Sequence, residues 1–327
     1  MKLVKPSFEI LEQKPKEIVV PADMEIGPRM VKEELLNSIY RQIEIAGRTC
    51  YKSEDKITDT SAKEFVERMI KSGHGAMLEH GTVYLQLLGV FLDPDDVDIA
   101  YGNYIVHHYI NNPYSKVKII HDEDWKANVY ITTNYRVMVE NNWLDDLFYL
   151  CNPTEYHERR YTVKFICDRG VSHEFVRHRV FSFAQESTRY CNYSKDKFGN
   201  ELTFIIPNWL SIPEGEYELF EEDDTVEGLS CYSLSNEEWA TKDLGVKAFL
   251  RGCDDAELAY FELLKQGWKP QQARTTLPNA LKTELVMTGF TSDWKHFFEL
   301  RDASSAHPQA RELAQPLHEE FIKRRYL

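Results

Sequence analysis

The sequence predicts an α+β fold in which a mixed or antiparallel sheet is accompanied by helices. Residues 32–46 carry apolar side chains at helical spacing, and residues 82–88 and 161–167 have the composition of strands. Strands and helices then follow one another without the βαβ rhythm of a parallel sheet. The 327 residues, 43% of them hydrophobic, suffice for a large core, and the length alone suggests one large domain or two.

Two helices in the first two thirds of the chain are indicated by their start signals. Ser61 and Glu64 have the spacing of a capping box, which predicts a second helix from Ser61 to Gly73. Ser172 is a candidate N-cap for a helix that runs into residues 177–179.

The last third of the chain has further signals. A helix over 255–266 should end at Gly267, and proline is favoured in the first turn of a helix. The other expected elements are a helix from Pro270, a strand over 283–288, a helix capped by Ser292 that reaches Leu300, and a final helix from Pro308.

Two stretches, about 90–160 and 208–245, interrupt this pattern and are expected to be insertions. The first contains acidic clusters, two Asn-Pro turns and the strand-like stretch 128–140. The second is acidic and has no clear period, which is typical of a surface segment. A purely structural or interaction role carried by these insertions is one hypothesis for the chain.

The charge balance restricts the partners of the protein. With 39 Lys+Arg against 53 Asp+Glu, the formal net charge is -14, the opposite of a duplex-binding protein, so no nucleic-acid partner is expected. Any basic cluster should therefore serve a small anionic ligand. No apolar run is long enough for a membrane helix, and the first residues lack the apolar core of a signal peptide, so we expect a cytoplasmic protein without a membrane partner.

The six cysteines form no C-x-x-C pair, which argues against a zinc site or a redox dithiol. In a reducing compartment they are expected to be free thiols. His74 and His80 flank Glu79, but a third metal ligand is not evident, and we predict no metal site.

The stretch 177–190, RHRVFSFAQESTRY, is the most informative part of the sequence. Arg177 and Arg179 are two positions apart, so on a helix they would point in different directions and suit two ligands or one long one, such as a dinucleotide. The QESTR segment resembles a polar turn that could cradle a phosphate, with Arg189 as counter-charge. The non-functional alternative is that this stretch forms a basic face in contact with solvent. Apolar residues on both sides of the arginines favour instead a partly buried site.

The motif R-H-R-x7-S, formed by Arg177, His178, Arg179 and Ser187, resembles that of the flavin-dependent thymidylate synthases. The resemblance extends to GHGAMLEH at 73–80, ARTTLP at 273–278, Phe297 to Arg301 and AHPQ at 306–309. It covers roughly residues 30–88, 161–207 and 255–322, and it leaves out the two insertions. It implies a single domain over residues 1–327 that contains these insertions.

The resemblance implies an enzyme that methylates dUMP to dTMP, with methylenetetrahydrofolate as carbon donor and NADPH-reduced FAD as hydride source. It also implies a homotetramer whose active sites are shared between subunits. The implied contacts with FAD are Ala76, Arg177, His178, Arg179, Gln185, Phe290, Thr291, Ser292 and His296. The implied contacts with dUMP are Glu174, Phe175, Val176, Arg177, Gln185, Glu186, Ser187, Thr188, Arg189, Arg274 and Arg301.

Arg301 takes the position that polarises the uracil ring in the resembled family, where no cysteine adds to the base. Judged from its sequence alone, it would be a cation at the end of a helix. Cys191, although close to the motif, is interpreted as a bystander.

The chain departs from the family pattern at Phe290, Thr291, Ser292, His296 and Ala76, which concern the adenosine side of FAD. Glu174 stands where relatives have an amide, and it could either touch the nucleotide or pair with an arginine. A nucleotide-binding protein without catalysis is the alternative function.

Overall fold

The computed structural model describes residues 1–20, 25–91, 101–121, 126–221, 230–234 and 241–327. Its strands are β1 Lys2–Val4, β2 Ser7–Leu11, β3 Thr82–Phe91, β4 Lys116–His121, β5 Lys126–Asn134, β6 Arg160–Asp168, β7 Ser182–Gln185, β8 Thr203–Ile205, β9 Gly215–Glu221, β10 Ser230–Leu234 and β11 Lys282–Phe290. Its α-helices are α1 Pro28–Tyr51, α2 Ser61–Lys71, α3 Gly75–Leu78, α4 Tyr101–Ile110, α5 Tyr135–Glu140, α6 Arg169–Phe175, α7 Leu244–Lys265, α8 Pro270–Ala273, α9 Thr291–Arg301 and α10 Pro308–Lys323.

The strands form three sheets, which confirms the predicted α+β class. The central sheet has the order β2-β6-β11-β7 and is antiparallel throughout. A second antiparallel sheet has the order β3-β5-β4. The third, β10-β9-β1-β8, is mixed because β1 and β8 run parallel.

The central sheet supports the candidate site because β6 and β11 are buried along most of their length. Helices α6, α9 and α10 pack on one side of it around Phe165, Trp294 and Phe297. Burial of such large aromatic side chains contributes more to stability than any single polar contact. This rigid layer holds the ends of α6, α9 and β7 in place.

Several predicted elements are confirmed. The strands over 82–88, 161–167 and 283–288 are present, and the helix over 32–46 extends over Pro28–Tyr51. Pro270 and Pro308 each occupy the first turn of a helix, where a proline needs no N–H partner.

The second helix begins at Ser61 as predicted, but the predicted capping box of Ser61 and Glu64 is wrong. The N-cap of α2 is Thr60, and the Ser61 hydroxyl instead accepts from the Thr58 N–H (2.9 Å) and donates to Glu44 (2.9 Å). The helix ends at Lys71, and Gly73 follows in the left-handed conformation expected after a helix end.

The start of α6 is likewise set by another residue. Asp168 caps the helix by accepting from the Val171 N–H at 2.7 Å, whereas the Ser172 hydroxyl donates to the Arg169 carbonyl at 2.8 Å. Because α6 ends at Phe175, the predicted continuation of the helix through residues 177–179 is wrong.

The helix predicted to be capped by Ser292 begins two residues earlier, at Thr291, and is capped differently. Phe290 is the N-cap residue, and the Asp293 carboxylate accepts from the Phe290 N–H at 2.8 Å. The helix predicted over 255–266 is longer than expected, since α7 starts at Leu244 after an Asp243 cap.

The first predicted insertion contributes to a sheet with strand β3. The stretch 128–140, read as one strand, divides into β5 and α5 at Asn134, which caps the helix by accepting from the Val137 N–H at 3.1 Å. The acidic cluster at 93–98 lies outside the described residues. No helix among the described residues combines the length and apolar character needed to cross a membrane.

Candidate active site

The residues after α6 form a tight turn that is anchored at both ends. The His178 N–H donates to the Phe175 carbonyl and the Phe181 N–H to the His178 carbonyl, each at 3.1 Å. Phe175 and Phe181 are buried, and Phe181 packs so close to Gly289 that a Cβ there would lie 2.5 Å from its ring. The turn therefore displays residues 177–179 from a fixed position on the sheet.

Arg301, the last residue of α9, is held by acceptors on α6 and on this turn. Its Nε–H donates to His178 Nε2 at 3.0 Å, and its Nη2 donates to the Glu174 carbonyl at 2.7 Å. Its Nη1 forms an ion pair with the Glu174 carboxylate. We name Glu174, His178 and Arg301 the Arg301 cluster; its guanidinium is 14% exposed and has a fixed orientation.

His178 is buried and is held in its neutral form. Burial, together with the neighbouring charges of Arg301 and His296, lowers its pKa to about 4. Since Nε2 accepts from Arg301, the ring proton of the neutral imidazole belongs on Nδ1. His296 lies with its ring centroid 6.2 Å from that of His178.

Arg177 and Arg179 are exposed on either side of His178. Because they lie in a turn and not on a helix, the argument that they point in opposite directions no longer applies. Within the described parts of the chain, neither guanidinium pairs with a carboxylate, so both are available to an anionic ligand.

The 185–189 turn follows β7 and presents a second group of polar side chains. Its backbone is tied to α1 by the Ser187 N–H, which donates to the Cys50 carbonyl at 3.0 Å. Thr188 accepts a hydrogen bond from Arg274 at 3.1 Å, so two segments predicted to bind the same ligand do meet. Arg189 is exposed and lies over the Tyr190 ring at 5.4 Å.

Gln185 joins the two groups through the protein interior. Its amide donates to Ser172 on α6 at 2.9 Å and to Thr283 on β11 at 3.2 Å. No hydrogen bond or ion pair between described residues links Arg301 or Glu174 directly to the 185–189 turn. On one chain, the turn is therefore linked to the helix of Glu174 through Gln185 and Ser172, and not by a direct bond to Arg301. We refer to the Arg301 cluster and the 185–189 turn as the two half-sites.

Several residues predicted to contact the nucleotide have side chains that are paired or buried within the protein. Glu174 pairs with Arg301, Phe175 is fully buried, and Val176 is half-buried. Glu186 is 3% exposed and pairs with Lys282. Among the predicted nucleotide contacts, the exposed cations Arg177, Arg189 and Arg274 are those with the most freedom to meet a ligand.

The residues predicted on the adenosine side of FAD are also partly engaged. Phe290 is buried beneath the cations of Lys116 and Arg160, and the Thr291 N–H donates to the Arg159 carbonyl at 2.9 Å. Ser292 is exposed and bonds to Glu158. Ala76 is exposed on α3.

Two cavities in the described part of the chain have predicted site residues in their walls. One of about 590 Å³ has Glu174, Trp209 and His307 in its wall and therefore adjoins the Arg301 cluster. The larger, of about 710 Å³, lies elsewhere, and Thr291 is the predicted site residue in its wall. Because Glu174 of the Arg301 cluster lies in its wall, the smaller cavity is the better candidate for part of the site.

A metal site receives no support from the histidines at 74 and 80. His80 is fully buried and bonds to Thr288 at 2.8 Å, whereas exposed His74 bonds to the Tyr51 hydroxyl at 2.8 Å. No group of three metal-ligating side chains is found among the described residues.

Sequence reasoning missed a set of buried charges behind the 185–189 turn. Lys282 and Glu284 alternate with Thr283 on β11, and the two charges contact each other at 2.7 Å. A Lys-x-Glu pattern at the start of a buried strand places both charges on one face, which was a usable signal.

Helices and mostly antiparallel sheets bring arginines that pair with no carboxylate among the described residues to the two half-sites. This arrangement defines the candidate site as one that could bind a small anion. The family model described as "Thymidylate synthase complementing protein" matches residues 122–324, more than half of the chain. The chain belongs to this family. The match includes most of both stretches expected to be insertions, whose separate character stays a prediction.

Curated relatives cover part of the chain. It is 30% identical over 161 residues to the flavin-dependent thymidylate synthase of Pyrococcus abyssi, covering 49% of this chain and 53% of that protein. It is 30% identical over 146 residues to that of Corynebacterium glutamicum, covering 45% and 50%. The matched part thus spans about half the length of these relatives.

Among solved structures, a UMP/dUMP methylase PolB from Streptomyces cacaoi bound with 5-Br dUMP is similar with a TM-score of 0.38. The identity is 15%, with 99% of this chain and 93% of that chain covered. A likeness of this size carries no weight for the function.

Proposed function

We propose that the protein is a flavin-dependent thymidylate synthase, which converts dUMP to dTMP with methylenetetrahydrofolate as carbon donor and NADPH as reductant. The observation that carries the proposal is a set of guanidiniums near the half-sites that pair with no carboxylate among the described residues, in a chain of net charge -14. These are Arg177, Arg179, Arg189 and Arg274. The names of the matched relatives support the same activity.

The donor set around His178 fits FAD. Two exposed guanidiniums, Arg177 and Arg179, can neutralise a diphosphate, and guanidinium forks suit phosphate oxygens. Exposed His296, whose ring centroid lies 6.2 Å from that of buried His178, provides ring surface beside them. When bound, the flavin supplies the hydride, and the protein supplies orientation and charge.

For the nucleotide, we assign the phosphate to Ser187, Arg189 and Arg274. Exposed guanidiniums beside a hydroxyl and a turn backbone form a phosphate site that needs no further cation. The Thr188 hydroxyl positions Arg274 for this role.

Arg301 is assigned to the uracil ring. Of its five N–H groups, three are used by His178 and Glu174, and one on each of Nη1 and Nη2 is left for the base. Donation to the C4 carbonyl side would stabilise negative charge there and make C5 more nucleophilic toward the methylene carbon. Glu174, by pairing with Arg301, fixes the direction of these donors.

The state of the nearby thiols supports a reaction without a cysteine nucleophile. Cys191 is 1% exposed, and burial together with the charge of Glu186 raises its pKa to about 12. Burial also raises the pKa of Cys50. A thiol with a raised pKa carries little thiolate at neutral pH, so it is a poor nucleophile.

The two half-sites support a shared active site. Since the Arg301 cluster and the 185–189 turn are not joined by direct contacts on one chain, we propose that a turn from one subunit faces an Arg301 cluster from another in a homotetramer. Light scattering of the purified protein tests this assembly; a monomer that is fully active would contradict it.

The direct test of the proposal is an absorbance spectrum recorded before and after anaerobic addition of NADPH, with and without dUMP. Bound flavin that is bleached faster with dUMP, followed by dTMP formation when folate is added, is the expected result. Protein that binds dUMP but forms no dTMP with any reductant would instead favour the alternative, a nucleotide-binding protein without catalysis. The observation that supports this alternative is that three residues predicted to contact FAD already make contacts within the protein, namely Phe290, Thr291 and Ser292.

A further inference from the structure

Glu186 belongs to the 185–189 turn, but its side chain points into the protein. The carboxylate accepts from the Tyr193 hydroxyl at 2.9 Å and from Lys282 Nζ at 3.0 Å. The backbone N–H of the same residue donates to the Glu284 carbonyl at 2.8 Å. With 3% of its surface exposed, Glu186 faces away from the side on which Arg189 is displayed.

Glu284 lies behind this contact and gathers three ammonium groups. Oε1 is 2.8 Å from Lys52 Nζ and 2.7 Å from Lys282 Nζ, and Oε2 is 2.6 Å from Lys164 Nζ. Burial alone would raise the pKa of Glu284, but the charges of Lys282 and Lys52 and the bond from Lys164 hold that pKa well below its usual range. The carboxylate therefore stays ionised, and its ion pairs connect the three segments of the chain that carry these lysines.

The lysines come from different parts of the fold. Lys52 follows α1 in a left-handed conformation with φ 47°, Lys164 lies on β6 and Lys282 on β11. The same end of α1 supplies the Cys50 carbonyl that accepts from the Ser187 N–H. The buried charges thus fasten α1, the central sheet and the 185–189 turn at one point.

We propose that Glu186, Tyr193, Lys282 and Glu284 are positioning residues that hold the 185–189 turn in the conformation that receives the nucleotide phosphate. The inference rests on the proposed function and deepens it. None of these side chains needs to touch the ligand: each acts by fixing the backbone of Ser187 and the direction of Arg189. Because buried charges are costly unless paired, removing one partner should displace the turn toward solvent.

A matched pair of tyrosines distinguishes this role from a merely structural one. Tyr193 and Tyr109 are both buried, and each donates its hydroxyl to a buried carboxylate, Glu186 at 2.9 Å and Asp146 at 3.0 Å. Asp146 lies in the segment between α5 and β6, away from the turn. Replacing either tyrosine with phenylalanine removes one such bond and leaves the ring in place.

We expect Tyr193→Phe to weaken dUMP affinity and raise KM for dUMP about 2-fold to 12-fold, the range for one hydrogen bond, with kcat nearly unchanged. Both substitutions should lower Tm by similar amounts, but Tyr109→Phe should leave KM for dUMP unchanged. Affinity is measured by calorimetry on the FAD-loaded protein, independently of turnover. If both variants lower Tm and neither changes dUMP affinity, the network is only structural and the inference is wrong.

Lys282 provides a second, larger test. Lys282→Met leaves Glu186 without its cation and should raise KM about 10-fold to 100-fold, as for a charged hydrogen bond. Lys282→Arg keeps the charge and should recover most of that loss. Equal effects of the two substitutions would contradict the charge-based role. Wild-type protein that binds dUMP tightly but forms no dTMP would refute the proposed synthesis, and the affinity series would still decide this inference.

Discussion

The Arg301 cluster and the 185–189 turn use arginine in opposite ways. In the cluster, one guanidinium is half-buried and three of its donors are bound by Glu174 and His178. At the turn, Arg189 and Arg274 are exposed and meet no carboxylate among the described residues. The difference separates two tasks: an arginine with bound donors offers a fixed direction, whereas an unpaired one offers charge to an incoming anion.

The largest expected effect comes from removing the arginine with the fixed direction. Arg301→Ala should lower kcat about 100-fold to 1,000-fold, as for loss of one preorganised donor at a site of developing charge. The measurement is dTMP formation at saturating dUMP. Arg41→Ala is the matched control, because Arg41 is also half-buried and paired with Glu34. Comparable losses of activity in both variants would indicate general destabilisation.

The unpaired arginines should affect binding more than turnover. Arg274→Ala or Arg189→Ala should raise KM for dUMP about 10-fold to 100-fold, since each removes a charge-assisted bond to phosphate. Thermal stability should hardly change, because no carboxylate loses its partner. Exposed Arg29 at the start of α1 provides the control substitution. A large fall in kcat with unchanged KM would contradict the division between the two regions.

A smaller effect is expected from the residue that orients Arg274. Thr188→Val removes the hydroxyl that accepts from Arg274 at 3.1 Å and retains the shape of the side chain. We expect KM for dUMP to rise about 2-fold to 12-fold. In the Arg274→Ala background the same substitution should add almost nothing, and steady-state kinetics of the double variant check this.

The smallest effect concerns pH and the Arg301 cluster. The pKa of His178 in the folded protein, about 4, lies below the value of about 6.5 for an unfolded chain, so the unfolded chain takes up the proton first. The stabilising contribution of neutral His178 is thus complete above pH 6.5 and is lost as pH falls toward 4.

We therefore expect Tm to fall between pH 7 and pH 5, and to fall less in His178→Gln. Buried His80, with a pKa lowered to about 3 by burial, accounts for a remaining slope of the same sign. His173→Gln is the control, because His173 is exposed on α6. An unchanged pH slope in His178→Gln would show that His178 is not held neutral.

The sequence was informative where structure depends on local pattern. The strand β11 and the helix starts at Pro270 and Pro308 follow from periodicity and from the geometry of proline. The start of α6 did not follow, because Asp168 and Ser172 are both able to cap a helix and only the fold determines which oxygen reaches the free N–H groups.

The contacts that define the candidate site lie beyond local pattern. Arg301 meets Glu174 across 127 positions, and Lys282 meets Glu186 across 96. The resemblance identified both segments that carry the site arginines, 177–189 and 274–301. It did not show which of these guanidiniums would pair with a carboxylate. That distinction depends on how α9 and α6 pack on the central sheet.

The central claim is that Arg301 activates C5 of uracil while unpaired arginines hold the nucleotide. The most direct measurement is release of tritium from [5-³H]dUMP by the FAD-loaded protein with methylenetetrahydrofolate and NADPH. We predict release that is lost in Arg301→Ala, while dUMP binding is retained. Release at the wild-type rate by Arg301→Ala, or no release by wild-type protein that binds dUMP and reduced flavin, would contradict the account.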